Sequence, residues 1–180
     1  MHPRLAEILT YLARVRSDLT AHVEATPREA MSRQAAGGAW TGAQIVYHCG
    51  NAEGATAKML EGLFAKALAD GLPNDGATAS LLHSLDHLRV PDRTFRPLVA
   101  PERLRPPDAP DFDAAWASLQ KVRERTHRAV ATVDGRDLTR LSAPHPFLGP
   151  LNGYQWVLFI GQHEERHLRQ MVERQRQLPE

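Results

Sequence analysis

His163 and His167 are four residues apart in a stretch whose apolar residues, Trp156, Phe159, Ile160 and Met171, recur at helical spacing. At about 100° per residue, with Trp156 as zero, the two histidines fall at about −20° and about 20°, in the middle of that apolar stripe. Imidazoles one turn apart, roughly 6 Å along the axis, can both reach one ion. A lone histidine on an apolar face is more often a hydrogen-bonded core residue, whereas a centred pair points to a metal site. His83 and His87 share the spacing but lie opposite the stripe of Leu81, Leu85 and Leu88, and are expected to face solvent. His2, His22 and His127 have no comparable partner, and His145 falls in a loop.

The string His163-Glu164-Glu165-Arg166-His167 also matches the zincin pattern His-Glu-x-x-His, in which the first Glu is a general base. The wider context argues against a protease. Metzincins continue with Gly and a third His, where this chain has Gln170 and Glu173, and the zincin scaffold sets a sheet beside the motif helix, for which this sequence shows no strands. A third ligand must come from upstream, and His48 and Cys49 are adjacent candidates. Relative to Ile45 they fall at about −60° and about 40°, both within a wide apolar stripe, so angle leaves the choice open. A free Cys is most often a small buried apolar residue.

The elements that must position these residues are helices. Leu5, Ile8, Leu9, Leu12, Val15, Leu19 and Val23 mark an amphipathic first helix ending before Pro27. After a stretch containing Gly37 and Gly38, Thr41 with Gln44 forms a capping box for a second helix that Gly71 and Pro73 stop. A short helical piece is expected around Ala79 to Arg89, then an irregular crossover from Pro91 to Pro110, whose prolines lack N–H donors. Asp111 caps a third long helix ending near Gly135, and His145 to Leu151 reads as a loop. Asn152 and Gln155 open the fourth helix, which runs to about Gln177. The expected fold is all-α, a four-helix bundle with a long Pro-rich crossover between the second and third long helices, in one domain over 1–180.

Composition narrows the function classes. Twenty-two Lys and Arg against 21 Asp and Glu leave a formal charge of +1, which supports neither a nucleic-acid nor a membrane-surface role. No apolar run reaches the length of a membrane span, and the first 25 residues lack an unbroken apolar signal region. Cys49 is the sole cysteine, so there is no internal disulfide, and a cytoplasmic location is expected.

Trp40-Thr41, Gln44, Ile45, Tyr47-His48, Asn51 and Glu53, with His145-Pro146-Phe147, Gly149-Pro150-Leu151, Trp156, Phe159, His163, His167 and Gln170, resemble the DinB-like superfamily, which includes the YfiT-type metal-dependent hydrolases. The resemblance covers most of the chain. It implies a four-helix bundle, frequent homodimers, and a divalent metal held by His48 with His163 and His167, selecting His48 over Cys49. Its members resemble thiol-dependent transferases, isomerases and hydrolases, so the resemblance bears on the site more than on the reaction.

The leading expectation is therefore a metal-dependent enzyme whose three-His centre activates water or a low-molecular-weight thiol, acting as a hydrolase or a thiol S-transferase on a small-molecule substrate. Three protein ligands with open positions are the pattern of catalytic zinc. Zn or Ni suits three imidazoles best, with Fe or Cu as further options. Glu164, Glu53 and His145 are candidates for a general base. The alternatives are a non-catalytic metal-binding or stress-response bundle, and a helical interaction module without metal.

Overall fold

The computed structural model describes residues 1–34, 38–95 and 99–176. Among these residues five α-helices form: α1 (Pro3–Glu24), α2 (Arg28–Ser32), α3 (Gly42–Ala69), α4 (Phe112–Ala131) and α5 (Gly153–Gln175). The four long ones make a four-helix bundle in which α3 packs along α4, α1 along α5, and α3 adjoins α5. The expected capping boxes are formed. Thr41 Oγ1 accepts from the Gln44 N–H at 3.1 Å and the Gln44 side chain accepts from the Thr41 N–H at 2.9 Å. Asn152 and Gln155 make the equivalent pair at 2.9 and 3.0 Å. Gln177, the expected end of the last helix, lies outside the described residues, as do Gly37 and Pro97 of the connecting stretches.

Helices α1 and α5 approach closely at Gly161, where an added Cβ would meet Tyr11 Cε1 at 2.6 Å and Leu12 Cδ1 at 2.8 Å. The buried apolar residues fall into two clusters. Along α1 one contains Leu12 and the other Leu19; along α3 they contain Leu60 and Cys49, along α4 Ala129 and Leu119, and along α5 Ile160 and Met171. Between them lies a polar layer.

Three segments depart from the sequence reading. Residues Ala79 to Arg89 form turns and a single 3-10 turn (Asp86–Leu88) in place of a short helix. The Leu81 N–H donates to Glu7 Oε1 at 2.7 Å and the Leu82 N–H to Ser80 Oγ at 3.3 Å, so side chains take donors a helix would need. Arg89, in the left-handed region at φ 48°, then ends the turn. His83 and His87 are exposed, as expected.

A second departure is the hairpin formed where a loop was expected, with β1 (Ala143–His145) antiparallel to β2 (Gly149–Leu151). Pro144 opposes Pro150 in the register. Neither has an N–H, so the pair fits only a site where no ladder bond is exchanged, and Gly149 at φ 82° closes the short connection. The third is α2, a single short helix that buries Met31. The crossover from Pro91 to Pro110 is irregular as expected, with one 3-10 turn, Glu102–Leu104, among its described residues. Among the described residues no helix is long and apolar enough to cross a membrane.

Candidate metal centre

Helix α3 brings His48 to face His163 and His167 of α5, and the side-chain ligand atoms of all three lie within 4.8 Å of one another. His48 Nε2 is 3.3 Å and His167 Nε2 3.2 Å from His163 Nε2. The distal nitrogens are fixed by acceptors. His48 Nδ1 donates to the Leu104 carbonyl at 2.8 Å, and His167 Nδ1 donates to Gln170 Oε1 at 2.7 Å. Each of these neutral imidazoles therefore turns an unprotonated Nε2 inward, the tautomer a metal requires.

These distances fit a shared ion. Two nitrogens about 2.05 Å from one zinc are about 2.9 Å apart at a right angle and about 3.4 Å apart at the tetrahedral angle. The observed 3.2 and 3.3 Å fall between the two. Burial pushes all three imidazoles below the ordinary histidine range, His167 to about 3. Lone pairs converging in a site that resists protonation are what a cation would neutralise, so this group could hold a metal.

Cys49 is not part of the group. It is fully enclosed, and burial together with the negative charge of Glu164 pushes its thiol well above the usual range, so it remains protonated beside the site.

The expected base candidates separate. Glu53 and Glu164 belong to the polar layer with Arg16 and Arg123, one residue from each long helix. Arg16 donates to Glu164 through Nε at 2.7 Å and to Glu53 through Nη2 at 3.0 Å. Arg123 donates to Glu53 through Nε at 2.7 Å and through Nη2 to Glu164. Thr126 Oγ1 adds a bond to Glu53 at 2.9 Å. Both carboxylates are spent on guanidinium groups, which disqualifies Glu164 as the base of a zincin motif. His145 does line the cavity above the histidines, edge-on to Phe159 at 4.6 Å between centroids. Its Nδ1 accepts from the Phe147 N–H at 3.2 Å, and burial lowers it to about 4.

The polar layer went unread in the sequence, although a signal was present. Arg16, Glu53, Arg123 and Glu164 each sit four residues after a buried apolar residue, namely Leu12, Cys49, Leu119 and Ile160. Charges on the inner stripes of four helices, two of each sign, are the pattern of a compensated buried layer.

The histidines line a cavity of about 930 Å³, a size suited to a small molecule. Trp40 stacks nearly parallel to His167 at 6.4 Å on one side, and Phe159 lies 5.4 Å from His163 on the other. The charged lining residues are Arg93, Arg103, Arg105, Arg166 and Asp108.

A family model of the DinB superfamily matches residues 11–171. The chain belongs to the DinB superfamily. Among curated proteins it is similar to the uncharacterized protein YuaE of Bacillus subtilis (strain 168), 42% identical over 77 residues. That match covers 41% of this chain and 46% of YuaE, so the chain spans about half the length of the curated relative it matches. Among solved structures this DinB protein is similar to TT2238, a four-helix bundle protein, with TM-score 0.63, 22% identity, and coverage of 93% of this chain and 98% of that one. At that identity the likeness speaks for the fold alone.

Proposed function

We propose that this DinB-superfamily protein is a metal-dependent enzyme in which His48, His163 and His167 hold one divalent ion, zinc or nickel by preference, at the floor of a substrate cavity. The observation that carries the reading is the convergence of three inward Nε2 atoms on a cavity large enough for a small molecule. Such an ion, when bound, lowers the pKa of a water or thiol it binds, which supports hydrolysis or thiol S-transfer.

The chain's own residues supply the rest. Leu104 and Gln170 fix the imidazole tautomers, Trp40 and Phe159 wall the centre against bulk water, and His145 is the titratable group placed to exchange a proton at the cavity. A purely structural metal would be better served by a closed site, and the cavity favours the enzyme over the non-catalytic alternative.

The test is metal analysis of protein purified without a His tag, followed by screens for thiol transfer and for ester and amide hydrolysis. One metal per chain and turnover lost in His163→Ala are expected. Loaded protein that shows neither turnover nor thiol binding would establish the non-catalytic reading. A homodimer in a cytoplasmic setting is proposed on family grounds; a clean 20 kDa mass by light scattering at micromolar concentration would refute the dimer.

A further inference from the structure

We propose that the end of the cavity bounded by α3, α5 and the β1–β2 hairpin is a seat for a hydrocarbon group, alkyl or aryl, of the small molecule the cavity takes. That this molecule is a substrate rests on the proposed function; the apolar seat itself does not.

Helix register sorts the lining. On α3 the lining residues after His48 are Ala52, Ala55, Thr56 and Met59. At about 100° per residue they fall between about −20° and about 80° of His48, in one continuous stripe. On α5 the lining residues before His163 are Phe159 and Trp156, at about −40° and about 20° of it. Ala52 and Thr56 share a small void with Phe159 and His163, so the two stripes face each other as they leave the metal centre. The Glu53 and Glu164 carboxylates bordering that void are held by Arg16 and Arg123. The charged lining residues lie elsewhere, with Arg93, Arg103, Arg105 and Asp108 on the crossover and Arg166 on the other side of His163 along α5. Among the described residues, α3 and the hairpin contribute no Lys, Arg, Asp or Glu to the lining.

The two walls differ in kind. Alanine at 52 and 55 keeps the α3 wall low and leaves room that larger side chains would fill. The opposite wall is aromatic and fixed. Trp156 Nε1 donates to the Ala143 carbonyl at 3.1 Å, and the Trp156 ring lies 5.2 Å from His145 and 5.8 Å from Phe159 between centroids. Phe147 of the same hairpin segment, 42% exposed, lines the cavity at its rim. The Thr56 hydroxyl and the His145 ring are the polar side chains of this end. A hydrocarbon group placed there buries apolar surface against rings already held in position, so little ordering cost offsets the gain.

The test titrates straight-chain alcohols from butanol to octanol into the protein, both zinc-loaded and chelator-treated, with binding read by calorimetry. Affinity in the chelator-treated protein is expected to rise roughly threefold to fourfold per methylene until the chain outgrows the seat. Long side chains on a helix lean toward its N-terminus, so the ring introduced by Ala55→Phe leans back over Ala52 and fills the seat. That variant is expected to lose about tenfold or more in octanol affinity while butanol stays within about threefold and zinc stoichiometry is unchanged. Phe147→Ala removes an exposed side chain and is expected to weaken octanol more than butanol; it decides the matter if Ala55→Phe lowers the melting temperature.

Affinity independent of chain length overturns the seat, as does a chain-length dependence that both variants leave intact, because the alcohol then binds elsewhere. Either result in a protein that holds one zinc and turns over leaves the proposed function standing. A variant-sensitive dependence in a protein that takes up no zinc supports the seat while removing the metal-dependent enzyme.

Discussion

Gln170 accepts the Nδ1 proton of His167 at 2.7 Å from three residues further along the same helix, so the orientation of one proposed ligand is fixed by its own helix. Partners of this kind typically contribute 10- to 100-fold in metal affinity. Gln170→Ala is therefore expected to weaken zinc binding by about that factor with the fold intact, measured by competition with a chromophoric chelator. Unchanged affinity would mean that the Gln170 contact does not orient a ligand.

The ligand set itself separates from its neighbours by substitution. His48→Ala, His163→Ala and His167→Ala should each abolish tight metal binding, and Cys49→Ala should retain it. His83→Ala with His87→Ala is the spacing-matched control, since both are exposed. Metal content after gel filtration reads all of these, and loss in Cys49→Ala with retention in His48→Ala would reverse the choice between adjacent residues.

Glu164 distinguishes a structural role from a chemical one. Its carboxylate lies between Arg16 and Arg123 in the buried layer, and breaking such a network by removing one partner costs about 3–5 kcal/mol. Glu164→Gln is expected to lower the unfolding free energy by an amount of that order in urea titrations while metal stoichiometry persists. A zincin-type base predicts the opposite pairing, with full stability and abolished turnover.

The buried imidazoles make stability pH-dependent. Their folded-state pKa values are depressed, His167 to about 3 and His145 to about 4, so in the unfolded chain these groups take up protons first as pH falls. Stability is thus full above the unfolded value of about 6.5 and declines as pH drops from there toward the folded values, with a slope of up to about 1.4 kcal/mol per pH unit for each fully buried histidine. Zinc binds the neutral imidazoles and should steepen the decline. Denaturant melts from pH 7.5 to 4.5, with and without zinc, check both; a flat profile in the metal-free protein would contradict the burial.

Much of the site was legible because its signals are local. The spacing of His163 and His167 and their angle on the stripe of α5 follow from one helix, and the capping boxes at Thr41 and Asn152 are short-range. His48 was selected over Cys49 by resemblance, since angle alone left both open. What stayed hidden depends on the meeting of distant segments. Gln170 and the Leu104 carbonyl become partners only once the helix and the crossover are in place, and a carbonyl has no residue identity to read. The hairpin at His145 was masked by Pro144 and Pro150, which count against strands unless they oppose each other. The short helix expected around Ala79 to Arg89 was lost to the Glu7 carboxylate of α1 and to the Ser80 hydroxyl, which take up the Leu81 and Leu82 N–H groups.

The bond from His48 to the Leu104 carbonyl ties the crossover to the candidate metal centre through the main chain. Every residue but its position could be exchanged there and the acceptor would survive, so the constraint falls on loop length and path. Insertions or deletions between α3 and α4 would propagate to the ion as a loss of imidazole alignment, whereas point changes at 104 that keep the backbone course would be silent. In a designed library, position 104 should tolerate broad substitution at fixed loop length, whereas a one-residue insertion or deletion beside it should not be tolerated.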